Sequence, residues 1–490
     1  MSASTLMVQG TSSGAGKSLL VAALCRIYAR RGVRVLPFKA QNMSNNAAVT
    51  PCGGEIGRAQ ALQARAAGVA PRPKMNPVLL KPLADTRSEV VVLGRRDAKL
   101  TALPWMQRKA ALWEVVRDAL ADIRADADLV LIEGAGSPAE INLPDIVNMR
   151  VAREADAPVL LVTDIDRGGA FAHLWGTWAL LPDEDRQRIR GFILNKFRGD
   201  ASLLAPAPEI LRDKTGVPTL GVVPFLRLDL PEEDAASVSD RGGGKEIHVA
   251  AIRLPHLSNF DDLDPLAAEP DVQVRWTDRP EGLHGADAII LPGTRNTTDD
   301  LRWLWESGMG AAIRARAAAG TPVVGLCGGY QMLGSSVADP LGIEGGGEVS
   351  GLALLELETE LGAEKTTRLA RGRWIATSAP FLSLRDQSVC GYEIHHGRTK
   401  LGAGAEPLLE VGGQAAGAWA GTVWGCYLHG IFADDALRTL WLAALRSGTP
   451  SQLRWEEHLE RELDRLADAV ENSLEMSAID RMIGAWATLS

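Results

Sequence analysis

Clustered basic residues are scarce in this chain: its 490 residues hold 52 Lys and Arg against 61 Asp and Glu, a net charge of −9. Neutralising a phosphate backbone needs concentrated positive charge, so this balance excludes a nucleic-acid binder as the expected class. Cysteine is also sparse. Five residues, Cys25, Cys52, Cys327, Cys390 and Cys426, stand scattered with no CxxC pair, which excludes a disulfide framework and a zinc ribbon. No basic segment followed by a long apolar stretch opens the chain, so neither secretion nor membrane spanning is expected, and a reducing cytoplasm fits best. What remains is ordinary globular usage, 46% hydrophobic and 23% charged, in a chain long enough for two or three domains.

Between residues 5 and about 225, short apolar runs (TLMVQG, VRVLPF, DLVLIEG, APVLLVTD, IRGFILN, PTLGVVP) alternate with segments of helical spacing. Such alternation predicts a parallel α/β sheet covered on both faces, with ligands at the carboxyl ends of its strands. The stretch RLDLPEEDAASVSDRGGGKE at 227–246 reads as a linker. A second α/β series begins with IHVAAIRL at 247–254 and becomes strand-rich around GYEIHHGRT and TVWGCYLHG. The expected organisation is a domain at 1–226, the linker, a second domain at 247–450 and a helical extension at 451–490, where charged residues interleave with Leu.

GTSSGAGKS at 10–18 lies between a strand and a helical run, the context of a phosphate loop. Gly10, Thr11, Gly14 and Gly16 would let backbone amides wrap a triphosphate, Lys17 would reach the outer phosphates, and the Ser18 hydroxyl would hold Mg²⁺. Five residues rather than four separate Gly10 from Gly16, and Thr11 takes the place of a glycine. Glu133, at the end of LVLIEGAGS, is the candidate second ligand for the metal. Asn195 and Lys196 in GFILNKFRGD stand at another strand end as nucleotide-binding candidates, the Asn amide being able to donate and accept toward an adenine edge. Asp164, Asp166 and Arg167 in LLVTDIDRGG, and Lys39, Gln41 and Asn42 in the polar loop PFKAQNMSNN, are candidates for meeting an acceptor substrate, with salt pairing and turn chemistry as the competing roles.

The other informative stretch is GLCGGYQML at 325–333, where Cys327 follows an apolar strand and precedes glycines. A thiol on a sharp strand-to-helix turn is placed as a nucleophile. His429 in WGCYLHGIF is the leading candidate base; His395 and His396 in GYEIHHGRT compete with it. Gly293 in LPGTRNT, with Gly328, is a candidate source of oxyanion-stabilising amides.

Together these stretches resemble the cobyric acid synthase family of glutamine-dependent amidotransferases. GTSSGAGKS, PFKAQNMSNN, IEGAGSPAEINL, DIDRGG and NKFRGD resemble its synthetase half, and LPGTRNT, GLCGGYQMLG, GYEIHHGRT and YLHGIF its glutaminase half. The resemblance implies a phosphate-loop domain similar to dethiobiotin synthetase, whose longer loop the spacing matches, followed by a class I glutamine amidotransferase-like domain. It implies Cys327 as nucleophile and His429 as base, ATP and Mg²⁺ as cofactors, and glutamine and a corrinoid as substrates. The implied reaction amidates four carboxylates of adenosylcobyrinic acid a,c-diamide; cobyrinic acid a,c-diamide synthase and a phosphate-loop ATPase with a degenerate binding module are the alternatives. Triad amidotransferases carry Glu two residues after the His, where this chain has Ile431, a gap shared with the cobyric acid synthase-like branch. What orients His429 is left open.

Overall fold

The structure is a computed structural model describing residues 3–84, 87–142, 145–231, 240, 246–446 and 451–484. Most of the expected linker at 227–246 lies outside the described residues. Near-continuous apolar runs form six parallel strands: β1 (Ser4–Gly10), β2 (Val35–Phe38), β3 (Leu129–Glu133), β4 (Val159–Asp164), β5 (Ile189–Phe197) and β6 (Thr219–Pro224). Their order is β6-β5-β4-β1-β3-β2. All pairs are parallel, so the carboxyl ends of β1, β3, β4 and β5 meet on one rim, bringing Gly10, Glu133, Asp164 and Asn195 together. Each face is covered, as strands without polar alternation require.

One face carries helix α1 (Lys17–Arg30) and helix α2 (Arg58–Ala66). The same face also receives the end of the chain. Helix α3 (Trp455–Ser473) returns to bury Trp455, Leu463 and Val470 in a cluster with Val21, Leu24 and Tyr28 of α1. Ion pairs flank that seam: Arg26 to Asp464 at 2.8 Å, Arg30 to Asp468 at 2.6 Å and Arg65 to Glu460 at 2.9 Å. Partly exposed pairs of this kind add roughly 0–1 kcal/mol each, so apolar burial carries the contact and the charges fix its register. The helical tail is therefore built into the first core.

The second sheet has a parallel centre of β7 (Ile247–Ile252), β8 (Val272–Thr277), β9 (Ala288–Leu291), β10 (Val323–Leu326) and β11 (Val423–Cys426), ordered β8-β7-β9-β10-β11. Antiparallel strands extend it, the longest pair being Leu357–Trp374 with Ser388–Leu401. PFKAQNMSNN, expected as one polar loop, instead contributes the short strand Gln41–Met43, and a second short strand, Ala47–Val49, follows it. Gln41–Met43 pairs parallel with Val78–Ala84, and Ala47–Val49 pairs antiparallel with Glu55–Gly57. Ala47, Val49, Leu79 and Val91 pack there against Tyr392 and Ile394 of the second half. No helix among the described residues is long and apolar enough to cross a membrane.

Candidate active site

Cys327 closes β10 and caps the short helix Gly328–Met332 with φ 53° and ψ −109°. A side chain in that region costs of order 1–3 kcal/mol. The Cys327 amide donates to the Cys426 carbonyl at 2.9 Å, which ties the turn to β11. The sulfur is 6% exposed and lies 3.5 Å from the Ile394 carbonyl. Two glycines let backbone crowd this point. A Cβ on Gly293 would stand 3.2 Å from Cε1 of His429, and one on Gly328 would stand 3.2 Å from the Thr294 amide nitrogen.

His429 follows β11 and is completely enclosed. Its Nδ1 donates to Oδ2 of Asp262 at 2.7 Å, and the Gly430 amide donates to Oδ1 of the same carboxylate at 2.7 Å. Asp262 thus grips both the ring and the backbone beside it. With Nδ1 engaged, the remaining Nε2 is the atom available for a proton from the thiol. Burial alone would lower the imidazole pKa; the charges of Asp262 and the Cys327 sulfur outweigh it and raise it to about 10. Tyr392 stacks on the ring at 5.0 Å and 17°, and its amide and carbonyl bond the His429 backbone.

His395 and His396 line the same cavity as Cys327. Neither faces a carboxylate at its ring nitrogens. Nδ1 of His395 donates to the Gly397 carbonyl at 2.9 Å and Nδ1 of His396 to the Gly362 carbonyl at 3.1 Å. Burial pushes them down to about 3 and about 4. They are neutral side chains, and of the three candidates His429 is the one whose ring meets a carboxylate.

The cavity around Cys327 is only about 20 Å³, too small for glutamine without some opening, and its wall includes Lys81 from the first half. Lys81 belongs to a buried charge cluster that crosses between the halves. It pairs with Glu55, which also meets Lys365 at 2.6 Å, while Arg295 meets Glu89 at 2.7 Å. Burial pushes the Lys81 ammonium down to about 7, whereas Glu55 and Glu89 are held low by the cations around them despite their burial.

At the other rim, Gly14, Gly16, Lys17, Ser18, Lys39, Asn42, Glu133 and Lys196 surround a cavity of about 440 Å³. Lys17 donates to the Ser12 and Gly136 carbonyls at 3.0 and 3.2 Å. A side chain on Gly10 would strike Lys17, and Gly16, at φ 93°, has no room for one beside Asn195. Asn195 donates to the Ala15 carbonyl at 2.9 Å, and Lys196 to the Gly14 carbonyl at 2.6 Å. The Thr11 amide donates to the Val162 carbonyl at 2.9 Å. Glu133 is the hub. Its Oε1 accepts from Ser18 and Lys39 at 2.8 Å each, and its Oε2 accepts from Gln63 and Gln60 at 2.6 and 3.2 Å. Burial raises a carboxyl's pKa, yet Lys39, Gln63 and Ser18 hold this one below its usual range. Among the described residues no group of three or more His, Cys, Asp or Glu converges on a metal position. The adjoining oxygens of Ser18 and Glu133 fit Mg²⁺, which takes few protein ligands and shares the rest with phosphate.

A cavity of about 1140 Å³ opens between Arg188, Arg212 and Glu475. It lies at the amino ends of β4, β5 and β6, away from both sets of strand-end groups.

Against this geometry stand the comparisons with known proteins. Residues 6–235 match the CobQ/CobB/MinD/ParA nucleotide binding domain, and residues 248–437 match the CobB/CobQ-like glutamine amidotransferase domain. A cobyric acid synthase of Deinococcus radiodurans is 51% identical over 494 residues, spanning 97% of this chain and all of the relative. One of Variovorax paradoxus is 49% identical over 99% of this chain and all of the relative, and one of Desulfitobacterium hafniense 47% identical over 98% of each. The chain belongs to the cobyric acid synthase family.

For this cobyric acid synthase family member, the candidates from sequence divide into three groups. Cys327, His429, Gly293 and Gly328 converge at one point. Gly10, Thr11, Gly14, Gly16, Lys17, Ser18, Asn195 and Lys196 converge with Glu133 and Lys39 at another. Gln41, Asp164, Asp166 and Arg167 stand outside the lining of the phosphate-loop cavity. Asp164 pairs with Lys196 at 3.0 Å and Arg167 at 3.6 Å, and Asp166 with Arg198 at 3.1 Å, so these side chains brace the rim. Asn42 reaches the cavity and bonds Gln60 at 3.0 Å. Sequence reasoning missed Asp262, although SNFDDLDPL follows the first strand of the second sheet and offers carboxylates at the carboxyl end where the other candidates were sought. It also missed Gln60 and Gln63, which carry no motif.

Proposed function

We propose that this chain is an ATP- and glutamine-dependent corrinoid amidotransferase that converts four peripheral carboxylates of adenosylcobyrinic acid a,c-diamide to amides, giving adenosylcobyric acid. The observation that carries the reading is the Cys327, His429 and Asp262 constellation in one chain with a phosphate loop, in a family whose curated relatives bear this name across their full length.

His429 takes the thiol proton through Nε2, while Asp262 fixes the ring and stabilises its cationic form. The Cys327 sulfur attacks the glutamine side-chain carbonyl, and amides near Gly293 and Gly328 receive the developing oxyanion. The proton on His429 passes to the departing nitrogen, ammonia leaves, and water hydrolyses the thioester to release glutamate. At the other rim, the acceptor carboxylate attacks the γ-phosphorus of ATP and ADP departs, forming an acyl phosphate. Ammonia then attacks the acyl carbon, phosphate leaves, and the nitrogen loses a proton.

Lys17 and the amides of the loop hold the phosphates. Ser18 and Glu133 would hold Mg²⁺, which when bound offsets charge on the phosphate oxygens. Lys39, already beside Glu133, and Asn42 face the cavity where an acceptor carboxylate would approach. Ammonia released into water would be protonated and diluted. The enclosure of Cys327 between the halves, with Lys81 of the synthetase side in its wall, favours an internal path.

Product mass after incubation with corrinoid, glutamine and ATP·Mg²⁺ tests the reading, since each amidation exchanges OH for NH₂. Four exchanges per corrinoid are expected. Two on unamidated cobyrinic acid would favour the a,c-diamide synthase, and none would defeat both.

A further inference from the structure

One side chain of the synthetase half reaches both flanks of His429. Arg58, the first residue of α2, forms an ion pair with Asp261 at 3.0 Å and bonds the Tyr392 hydroxyl, its guanidinium lying 5.2 Å from that ring's centroid. Asp261 adjoins Asp262, which grips His429, and Tyr392 is the ring stacked on His429. Asn259 closes the arrangement from the second half, bonding both the Tyr392 hydroxyl and the Ala47 carbonyl at 2.8 Å. These groups are buried, with the Arg58 side chain 15% exposed and Asp261 10%. In such a setting, losing one partner leaves the other charge uncompensated and moves whatever it anchors. Burial pushes the Asp261 carboxyl up and Arg58 opposes that push.

The same helix reaches the phosphate rim. Gln60 and Gln63, one turn apart, both donate to Oε2 of Glu133, and Gln63 also bonds the Ser18 carbonyl at 3.2 Å. Leu62 and Ala66 pack α2 in one cluster with Leu20 and Val21 of α1, the helix that begins at Lys17. A helix of nine residues is about 13 Å long and behaves as one stiff body, so movement at its Gln60 face is felt at Arg58. A cation and triphosphate drawing on Ser18 and Glu133 compete for oxygens that now satisfy Lys39 and, through Gln60 and Gln63, hold α2 in place.

We propose that Arg58 is a positioning residue for the Asp262 and His429 pair, supplied across the domain boundary, and that α2 transmits the state of the phosphate site to the glutaminase centre. The inference rests on the reading of Cys327 as the nucleophile for glutamine. It adds a defined route by which glutamine hydrolysis waits on the synthetase site.

The test is the rate at which 6-diazo-5-oxo-L-norleucine, a glutamine mimic that loses N₂ as it forms a thioether, labels Cys327 in the full chain, followed by intact mass. Arg58→Ala should slow labelling by about ten- to a hundred-fold, the scale of a small misplacement of reacting groups. Ammonia-driven amidation should stay within about two-fold, Arg58→Lys should recover part of the rate, and Asp261→Asn should add nothing to Arg58→Ala. ATP·Mg²⁺ should accelerate labelling of the unaltered chain about five-fold or more and leave Arg58→Ala unmoved. Unchanged labelling in Arg58→Ala, a parallel fall in ammonia-driven amidation, or no nucleotide effect on the unaltered chain would overturn the proposal. An unaltered chain that resists the label altogether would instead fail the assignment of Cys327, taking this inference with it.

Discussion

Asp262 holds His429 by two bonds at once, accepting from ring Nδ1 and from the Gly430 amide at 2.7 Å each. The carboxylate comes from the short 3₁₀ helix Phe260–Leu263 after β7, 167 residues earlier in the chain than the histidine it orients. It occupies the functional position that Ile431 leaves vacant, for Ile431 is wholly buried in the apolar core of the second sheet. The acid that orients the base comes from a segment distant in sequence.

Replacing Asp262 with Asn removes the charge but preserves the shape. Glutamine-dependent amidation should fall by roughly 10²-fold or more, the scale of a general base losing its tautomer and orientation. The imidazole, raised to about 10 by Asp262 and the Cys327 sulfur, should drop toward its ordinary range. A raised pKa in the folded state contributes stability that is full below about 6.5 and is lost as pH climbs through about 10. Thermal midpoints from pH 6 to 11 should therefore decline for the unaltered chain and flatten for Asp262→Asn. Equal slopes would remove the ion pair from the account.

Cys327→Ala should abolish amidation from glutamine and leave amidation from ammonium within about three-fold, because the thiol touches only the nitrogen donor. Rates with saturating glutamine and with ammonium salts at alkaline pH separate the two. Loss of both would mean that Cys327 also supports the synthetase rim.

Lys17→Ala should act in the opposite sense. Corrinoid amidation should fall about 10²- to 10³-fold from either nitrogen source, since a fixed cation facing transferring phosphate is lost. Labelling of Cys327 without nucleotide should persist. An unchanged rate of ADP release would refute the assignment of the phosphate loop.

Much of this was legible from short-range pattern. Continuous apolar runs specified the parallel strands because a strand covered on both faces cannot alternate. Glycines around Lys17 and Cys327 marked turns that only small residues permit, and chemistry followed from their places at strand ends. Illegible were the contacts between distant segments. Nothing local in FDDLD says that Asp262 will face His429, and nothing in RAQALQA says that Gln60 and Gln63 will share Glu133. PFKAQNMSNN was misread as a loop because its amides look like turn formers; its Gln41–Met43 backbone finds a strand partner in Val78–Ala84 instead. Asp164 and Arg167 carry strand-end charges, and nothing local says that Asp164 will pair with Lys196 of the neighbouring strand at 3.0 Å.

The tail beyond Ser451 holds none of the candidate site residues, yet α3 supplies one wall of the first core. Leu463 is fully buried in one cluster with Val21 and Leu24 of α1 and with Leu131 and Leu160 of the sheet. Leu463→Ala should cost about 2–5 kcal/mol, the range for deleting a packed leucine whose surroundings relax only in part. The loss should fall on the synthetase half: ATP-dependent amidation should fail at a lower temperature, while Cys327 labelling survives to the unaltered midpoint. If α3 were a mere appendage, both activities would keep their midpoints. The surface pairs predict a second distinction, since Arg30→Ala, which deletes contacts to Asp464, Asp468 and Glu471, should cost only about 1 kcal/mol and less in high salt. Apolar burial and not charge would then be what binds the end of the chain to its beginning.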